Sequence, residues 1–579
     1  MLKRDTSMEI QFQHANPYSG RESVVLRIDG LLPDQTVCVL VDAGQNVAID
    51  ELLDEDANEY LTAVCLTHAH LDHYQSLGDT LAHGAPVYAA TDTATILGDV
   101  FAAGADQYGL SNTERVLDQL EPIDEWTQIV PGLRVHPVPA GHTPGAAGFL
   151  FEVTADDERR TIFVTGDFTT RRAAGYPGFD LDLPVDVDVL VLTAATSEDF
   201  EATLTDAVGT ICERVWAGST VLTTASGLTG LQVAYLLGHL AEQWDERLSI
   251  RLVGHVAKLY DRLEYSVPNV ATTAEFADPS TVLETDGVTI AGPEVPIDGS
   301  AKRLFETIAD DPGATLVQLI NGGSSPVTSA ACTTHHFSLS SHPTPNTIDD
   351  VVEALSPIHV VITHQQGAAA NQYKDKYASF VWATDDTDCY TLLDDSGWTP
   401  PPWVTESTKR RVQSGTTTMG GVLGDAIADA EIPLPTVTRL DDVDFGAEGL
   451  DLTALRDRLS VEHTEHASSE TPAPQQATDS PAPSTDRVMT DGMAGELPIP
   501  DGDPDIDSVL SGIDVRLDRI ESAITGHDID ARVVDAGDGT LLLRLENPPG
   551  HLEHGQRLRV RLLNGIDSER DDDQSAQDT

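Results

Sequence analysis

Four side chains that can bind a metal lie within six residues of this chain. They are His68, His70, Asp72 and His73. Imidazole together with carboxylate suits Zn, Mn or Fe. The apolar run Ala63–Leu66 comes directly before them, so the ligands would diverge from a turn after a buried strand rather than line one helix face. This geometry favours a site for two ions, and other segments must supply the remaining ligands.

Three further candidates follow apolar runs or lie in turns. His142 lies in the Gly/Pro-rich turn of VPAGHTPG, Asp167 follows the apolar run of IFVTGDF, and Asp42 follows that of VLVDAG. Taken alone, each aspartate is also typical of a helix cap or a turn. Asp167 is the better candidate for a shared ligand because its two oxygens can each bind one ion of a two-metal site.

The elements that would position these residues alternate between strands and helices. Helix-like segments at Gly230–Ala241 and Lys302–Ala309 lie between apolar runs of strand length, which predicts an α/β fold. The predicted strands are Val37–Val41, Ala63–Leu66, Thr161–Thr165, Val189–Leu192, Thr220–Leu222, Ile250–Val253, Val288–Ala291, Thr315–Ile320 and His359–Thr363.

The net charge of −61 is extreme for 579 residues, and acidic residues occur along the whole chain. Such a protein repels itself at moderate salt, whereas at about 1 M salt the screening length falls to roughly 3 Å. We therefore expect a salt-adapted protein from a halophile.

Cysteine usage and hydropathy exclude several classes of protein. The five cysteines lie far apart without CxxC spacing, which argues against a zinc ribbon or a disulfide framework and fits a reducing compartment. Neither the N-terminal segment nor any later run has the apolar length of a signal peptide or a membrane span. We expect a soluble, cytoplasmic protein that does not bind membranes.

The composition changes near the C-terminus. Residues 461–503 are rich in Ser, Thr, Pro, Ala, Glu and Asp, which predicts a disordered acidic linker. Apolar residues then recur every three or four positions from Ile506 to Ile524, which predicts a helix. This helix, residues 504–525, either forms a coiled coil that joins copies of the chain or packs on nearby strands. Those predicted strands are Ile529–Val534, Thr540–Glu546 and Arg557–Leu563.

Taken in order, VDAG, THAHLDH, PAGHTPGAAGF and TGDF closely resemble the motifs of the metallo-β-lactamase fold superfamily. The resemblance implies an αββα sandwich that holds one or two divalent metals at the sheet edges, with Zn expected and Mn or Fe as alternatives. It implies that Asp42 orients ligands. The ligands that it implies are His68, His70 and His142 for one metal, Asp72 and His73 for the second, and Asp167 between them.

Later segments resemble the β-CASP branch of that superfamily, as in nucleases of the cleavage and polyadenylation specificity factor type and the RNase J type. Val221–Leu237 is similar to the strand and helix that open the β-CASP insert. FSLSSH, ending at His342, resembles motif B, and VVITH, ending at His364, resembles motif C. The resemblance implies that His364 completes the second metal site and that His342 lies beside the scissile phosphate. A histidine at motif C is typical of RNA-acting members, which favours RNA over DNA.

One motif departs from the family pattern. An acidic motif A is expected after the strand that ends at Leu192, but this chain has Thr193-Ala194-Ala195-Thr196 there. That carboxylate normally pairs with the motif B histidine. Glu198 or Asp199 could substitute for it from a shifted register.

The resemblance and the composition divide the chain into seven parts. They are the first part of the metallo-β-lactamase domain (1–195), a β-CASP-like insert (196–345), the return to the first domain (346–400), a C-terminal extension (401–460), the linker (461–503), the heptad helix with a small β unit (504–565) and a disordered acidic tail (566–579).

Together these features predict a phosphodiester hydrolase of RNA processing or decay. The resemblance implies attack by a hydroxide that bridges two metals, with Asp72, Asp167 and His342 as catalytic residues. Arg171 and Arg172 are the candidates for substrate binding. Three alternatives remain open: a non-catalytic metal-binding module for binding or assembly, since the motif A acid is absent; a DNA nuclease; and a hydrolase of small esters.

Overall fold

The computed structural model describes residues 8–155, 158–419, 433–466, 531–535 and 541–545. The chain divides into two compact units, Met1–Pro472 and Ala473–Thr579. The candidate site residues all lie in the first unit.

Twenty-one strands belong to the described part of the first unit. They are β1 (Glu9–His14), β2 (Val24–Leu32), β3 (Gln35–Val41), β4 (Glu59–Leu66), β5 (Val87–Ala90), β6 (Leu120–Ile123), β7 (Thr127–Val130), β8 (Leu133–Pro139), β9 (Ala147–Ala155), β10 (Glu158–Val164), β11 (Val189–Thr193), β12 (Thr220–Thr224), β13 (Ser249–Val253), β14 (Val270–Thr273), β15 (Gly287–Ala291), β16 (Ala314–Ile320), β17 (Thr333–Ser338), β18 (His359–Thr363), β19 (Phe380–Trp382), β20 (Tyr390–Asp394) and β21 (Gly397–Trp398).

Thirteen α-helices accompany these strands in the described part of the chain. They are α1 (Ile49–Leu52), α2 (Leu71–Tyr74), α3 (Leu77–Thr80), α4 (Thr91–Tyr108), α5 (Thr113–Asp118), α6 (Phe200–Trp216), α7 (Gly227–Trp244), α8 (His255–Arg262), α9 (Gly299–Ile308), α10 (Pro345–Leu355), α11 (Gly367–Asn371), α12 (Glu406–Met419) and α13 (Leu452–His466).

Two mixed sheets pack face to face. Their strand orders are β21-β20-β1-β2-β3-β4-β5-β6 and β19-β18-β11-β10-β9-β8-β7. Successive side chains of a strand point to opposite faces, and β3 shows the result. Val39 and Val41 share a buried cluster with Phe149 of β9, whereas Leu40 packs in another cluster with Ile96 of α4.

Helix α10 covers the outer face of the second sheet, where Ile348 packs with Leu190 and Ile362. With α4 on the outer face of the first sheet, the layers follow the order helix, sheet, sheet, helix. The predicted α/β class and its αββα sandwich are confirmed.

A third sheet has the order β14-β13-β15-β12-β16-β17, and every neighbouring pair in it is parallel. Parallel neighbours need crossover connections, and α7, α8 and α9 lie between its strands in sequence. β15 and β16 are buried along their whole length, as expected for parallel strands covered on both faces. All six strands fall within residues 196–345, the predicted insert.

The C-terminal part is only partly described. Helix α13 continues to His466, so the segment predicted to be disordered from residue 461 begins helically. In the second unit, β22 (Ala531–Asp535) and β23 (Leu541–Leu545) form an antiparallel pair, in agreement with two of the three strands predicted there. The heptad helix at 504–525 and the strand Arg557–Leu563 lie outside the described residues.

Two further features agree with the composition. All five cysteines are free. Within the described residues, no helix combines the length and the apolar character needed to cross a bilayer.

Candidate metal centre

The candidate centre lies where parallel strands end. β3 and β4 are parallel neighbours in one sheet, and β10, β11 and β18 are parallel neighbours in the other. Carboxyl ends of parallel strands meet at one sheet edge, so the residues that follow them converge. These residues are Asp42 after β3, His68 after β4, Asp167 after β10 and His364 after β18.

His68, His70 and His142 form a compact group whose ligand nitrogens lie within 4.8 Å of one another. Nε2 of His68 and Nε2 of His70 are buried and have no hydrogen-bond partner in the described part of the chain. Burial lowers the pKa of all three imidazoles. They are therefore held neutral, which is the form that binds a metal.

Asp42 and Thr67 fix the orientation of two histidines. The Asp42 carboxylate accepts hydrogen bonds from the backbone N–H of Thr67 (2.8 Å) and from its hydroxyl (2.9 Å), and it lies 2.7 Å from Nδ1 of His73. The Thr67 hydroxyl lies 3.0 Å from Nδ1 of His68. With Nδ1 engaged, each histidine presents Nε2 to the centre, as expected of an orienting aspartate.

Asp167 lies in the middle of the histidines. One of its oxygens is 3.4 Å from Nε2 of His73 and 3.7 Å from Nε2 of His142, and the other is 3.1 Å from Nδ1 of His364. Burial opposes ionisation of Asp167, but His364, His342 and His73 outweigh it and hold the pKa of the carboxyl well below its usual range. A carboxylate that faces histidines of both predicted sites suits a shared ligand.

The second predicted site is more open. The Asp72 side chain is 50% exposed, and its carboxylate lies 4.0 Å from Nε2 of His73. His73 and Asp167 form a ligand group within 4.8 Å together with His68, and Asp72 and His364 lie around that group. Burial acts to lower the pKa of both His364 and His73. Asp167 raises the pKa of His364, and Asp42 together with Asp167 raises the pKa of His73.

The orienting residue Asp42 and the predicted ligand His364 both adopt left-handed backbone conformations. φ is 58° at Asp42 and 61° at His364, which costs on the order of 1–3 kcal/mol at each non-glycine residue. Gly166 precedes Asp167 with φ 57°, and a methyl group there would lie 2.7 Å from Cβ of Thr67. The close approach of β4 and β10 at the centre therefore requires glycine at this position.

His342 faces the same carboxylate. Its Nδ1 lies 3.9 Å from Asp167, is buried, and has no hydrogen-bond partner in the described part of the chain. Burial lowers the pKa of this imidazole. Glu198 and Asp199 are both exposed, and among the described residues neither makes a hydrogen bond or an ion pair with His342. The suggested substitution for the motif A acid therefore does not occur here.

Backbone anchors hold His342 instead. Nδ1 of His142 donates to the carbonyl of Ser341 (2.6 Å), and the Arg171 guanidinium donates to the carbonyl of His342 (2.9 Å). Arg171 also lies over the ring of Phe200, at 4.4 Å from the centroid. It is therefore already engaged with protein groups.

Arg172 likewise forms an ion pair with Asp442 at 3.0 Å. The substrate-binding role of both arginines remains a prediction. Neither guanidinium is unpaired in this structure.

Sequence inspection missed three residues near the centre. Glu22 is buried, accepts hydrogen bonds from Asn16 (2.5 Å) and Ser23 (3.1 Å), and has a pKa raised by burial. Arg21 precedes it, and Glu448 anchors the loop that carries Arg171. None of them follows an apolar run or belongs to a ligand-like spacing, so only the tertiary contacts reveal them.

The residues fit divalent metals. Buried neutral imidazoles whose nitrogens have no hydrogen-bond partner among the described residues lie next to a shared carboxylate, and such donors bind Zn and Mn in two-metal sites. The structure brings together His68, His70, His73, His142 and Asp167, with Asp72, His342 and His364 around them.

Comparisons with known proteins agree with this geometry. Residues 38–218 match the family described as "Beta-lactamase superfamily domain". Ribonuclease TTHA0252 of Thermus thermophilus is 31% identical over 219 residues, which cover 35% of this chain and 49% of the relative. Endoribonuclease YSH1 of Gibberella zeae is 28% identical over 174 residues, which cover 26% of this chain and 20% of the relative.

The chain thus spans about half of the first relative and a fifth of the second. A solved structure of a protein of unknown function from Enterococcus faecalis V583 is 13% identical, covers 67% of this chain and 100% of its own, and has a TM-score of 0.46. Over residues 38–218 the chain is thus similar to the beta-lactamase superfamily domain, and over part of its length it is similar to two curated ribonucleases.

Proposed function

We propose that the chain is a metal-dependent phosphodiester hydrolase that acts on RNA. The observation that carries the proposal is the position of Asp167, whose carboxylate lies between His73, His142 and His364 while His342 faces it from a third side. Curated relatives named as ribonucleases support RNA as the substrate.

Each residue then has a defined task. His68, His70 and His142 would hold one metal, and Asp72, His73 and His364 the second, with Asp167 shared between them. Two bound divalent ions supply an activated water at neutral pH and stabilise charge on the phosphoryl oxygens. Asp42 keeps Nδ1 of His73 engaged, so that Nε2 stays directed at the centre.

His342 would bind a phosphoryl oxygen. Burial holds this imidazole neutral near pH 7, and a neutral imidazole still donates one N–H. Protonation of the leaving oxygen would need the imidazolium form, which burial disfavours because no motif A carboxylate is present to stabilise it. We therefore assign His342 to hydrogen bonding with the substrate rather than to proton donation.

The proposal is tested by metal analysis followed by incubation with labelled single-stranded RNA and DNA in about 1 M KCl with Mn²⁺ or Zn²⁺. We expect bound metal and cleavage of RNA. Asp167→Ala should abolish both hydrolysis and metal binding, and Arg247→Gln, a change at an exposed arginine, is the matched control. An active Asp167→Ala protein without metal would refute the proposal.

A non-catalytic binding or assembly subunit is the second candidate. The missing motif A acid favours it, as does Nδ1 of His342, which has no hydrogen-bond partner among the described residues. Bound metal without cleavage of either strand, under the same conditions, would support this alternative over hydrolysis.

A further inference from the structure

A short loop between β1 and β2 borders the candidate centre. We call Asn16–Arg21 the lip loop. Asn16 is 3% exposed, and its carbonyl accepts from the backbone N–H groups of Ser19 (3.1 Å) and Arg21 (3.2 Å). Its side chain donates to Glu22 (2.5 Å) and to the carbonyl of Gln45 (3.2 Å). These hydrogen bonds close the loop into a turn and connect it to Glu22 and Gln45.

The lip loop is tied directly to the second predicted metal site. The backbone N–H of His364 donates to the carbonyl of Arg21 at 2.7 Å. A methyl group placed on Gly44 would lie 1.6 Å from the Glu22 carboxylate and 2.0 Å from the carbonyl of Asp72. The end of the loop is therefore packed against the segments that carry Asp72 and His364.

Arg21 forms no ion pair with a carboxylate of the described residues. Its Nε is buried without a hydrogen-bond partner, and within the described part of the chain the structure shows no ion pair for its guanidinium. This is unusual in a chain with 95 acidic and 34 basic residues, where Arg171 and Arg172 both have acidic neighbours. Arg21 lines a narrow recess in the surface, together with His14, Pro17, Gln365, Thr384 and Asp385.

Tyr18 lies three residues before Arg21 and is 76% exposed. Among the described residues, no aromatic ring contacts it. A large exposed ring on this hydrogen-bonded turn offers a stacking surface for a nucleic-acid base.

We propose that the lip loop binds single-stranded nucleic acid, with Tyr18 stacked on a base and Arg21 bound to a backbone phosphate beside His364. The inference rests on the proposed function. It adds the route of the bound nucleic acid, which would pass the metal centre on the side of Asp72. Base stacking suits this chain because concentrated salt weakens phosphate attraction, whereas stacking depends on contact between ring faces.

The test measures binding of a fluorescent single-stranded oligoribonucleotide by anisotropy, with Ca²⁺ in place of a catalytic ion, in about 1 M KCl. Tyr18→Ala should raise the dissociation constant about tenfold, and Tyr18→Phe should leave it within about twofold, because the ring is kept. Arg21→Gln should weaken binding about fivefold and reduce the salt slope by about 0.7, and Arg21→Lys should retain the slope. Arg247→Gln is the control for loss of a positive charge.

The inference is overturned if Tyr18→Ala and Arg21→Gln both bind the strand like wild type while keeping its thermal midpoint and metal content. Hydrolysis is scored separately. A wild-type protein that cleaves neither RNA nor DNA but binds RNA through Tyr18 and Arg21 would refute only the proposed activity. Cleavage with unchanged KM in both variants would refute only the binding role of the lip loop.

Discussion

At the scale of single residues, His342 has an unusual position. Its Nδ1 lies 3.9 Å from Asp167 and makes no hydrogen bond within the part of the chain that the structure describes. His342 also forms a ligand group with His142 and Asp167. His342 could therefore act by contact with a phosphoryl oxygen or as a metal ligand, and the two roles differ in the metal content expected after its substitution.

We expect His342→Gln to lower kcat by about 10²- to 10³-fold with unchanged metal content, because the residue donates a hydrogen bond to the substrate. Metal content by plasma mass spectrometry and single-turnover rates would check this together. Loss of one metal ion per protein in His342→Gln would instead identify the residue as a ligand. His239→Gln, on α7 away from the ligand groups, is a suitable histidine control.

Arg171 is a positioning residue in the same arrangement. Its guanidinium donates to the carbonyl of His342, so removal of the donor should loosen His342 while the metal ligands remain. We expect Arg171→Met to lower kcat about tenfold with little change in KM, and Arg171→Lys to restore part of the loss. Hydrogen exchange at residues 339–343 should rise in Arg171→Met, and an unchanged exchange rate there would contradict this role.

At the scale of elements, a C-terminal segment at residues 439–451 forms hydrogen bonds with the loop that carries Arg171. The Glu448 carboxylate accepts from the backbone N–H groups of Ala174 (2.8 Å) and Gly175 (2.7 Å). The carbonyl of Ala447 accepts a hydrogen bond from the backbone N–H of Arg172 at 2.8 Å. A part of the chain far from the ligand motifs thus fixes the loop after Asp167.

Glu448 should make stability depend on pH. Burial raises its pKa to about 7, against the opposing effect of the Gly175 and Ala174 amides. The raised folded-state pKa means that its stabilising contribution is full below about pH 4.5, the unfolded value, and is lost as the pH rises through about 7. We expect the free energy of unfolding to be roughly 2–3 kcal/mol greater at about pH 5.5 than at pH 8.5 from this group.

The comparison with Glu448→Gln isolates this effect, since other groups titrate in both proteins. Denaturant unfolding in concentrated KCl gives the free energy of unfolding of both proteins at both pH values. The change with pH in Glu448→Gln is then subtracted from the change in wild type. An identical pH dependence in wild type and Glu448→Gln would show that Glu448 does not titrate in this range.

The strands that could be predicted from the sequence share one physical property. β15 and β16 are buried on both faces, so their sequences read as continuous apolar runs. β1, EIQFQH, and β17, TTHHFS, mix polar and apolar residues, and neither strand is buried along its whole length. They were not predicted.

The candidate site could likewise be predicted only where its residues follow buried apolar strands. The histidines and aspartates follow apolar strands and have ligand chemistry, so their types and spacing identify them. Arg21 and Glu448 lie in irregular segments, and their partners are distant in sequence: Gly175, for example, meets Glu448 across 273 positions. No local pattern encodes such contacts, which depend on how β1, β2 and the C-terminal segment pack.

At the scale of the whole molecule, the net charge of −61 dominates. Local pairs such as Arg134 with Glu152 (2.8 Å) and Arg251 with Glu284 (2.7 Å) engage part of the basic side chains. With 95 acidic against 34 basic residues, most carboxylates have no cation to pair with. Their mutual repulsion must be reduced by dissolved ions.

We therefore expect the thermal midpoint to rise steeply between about 0.2 M and 1 M KCl, where the screening length falls from about 7 Å to roughly 3 Å, and more slowly above that. The measurement is a melting series in KCl, with sucrose at matched osmolality as the uncharged control. Sucrose stabilises by exclusion from the surface and leaves repulsion intact, so it should raise the midpoint much less. A midpoint that is highest below about 0.2 M KCl would rule out salt adaptation, because repulsion among unpaired carboxylates is greatest there.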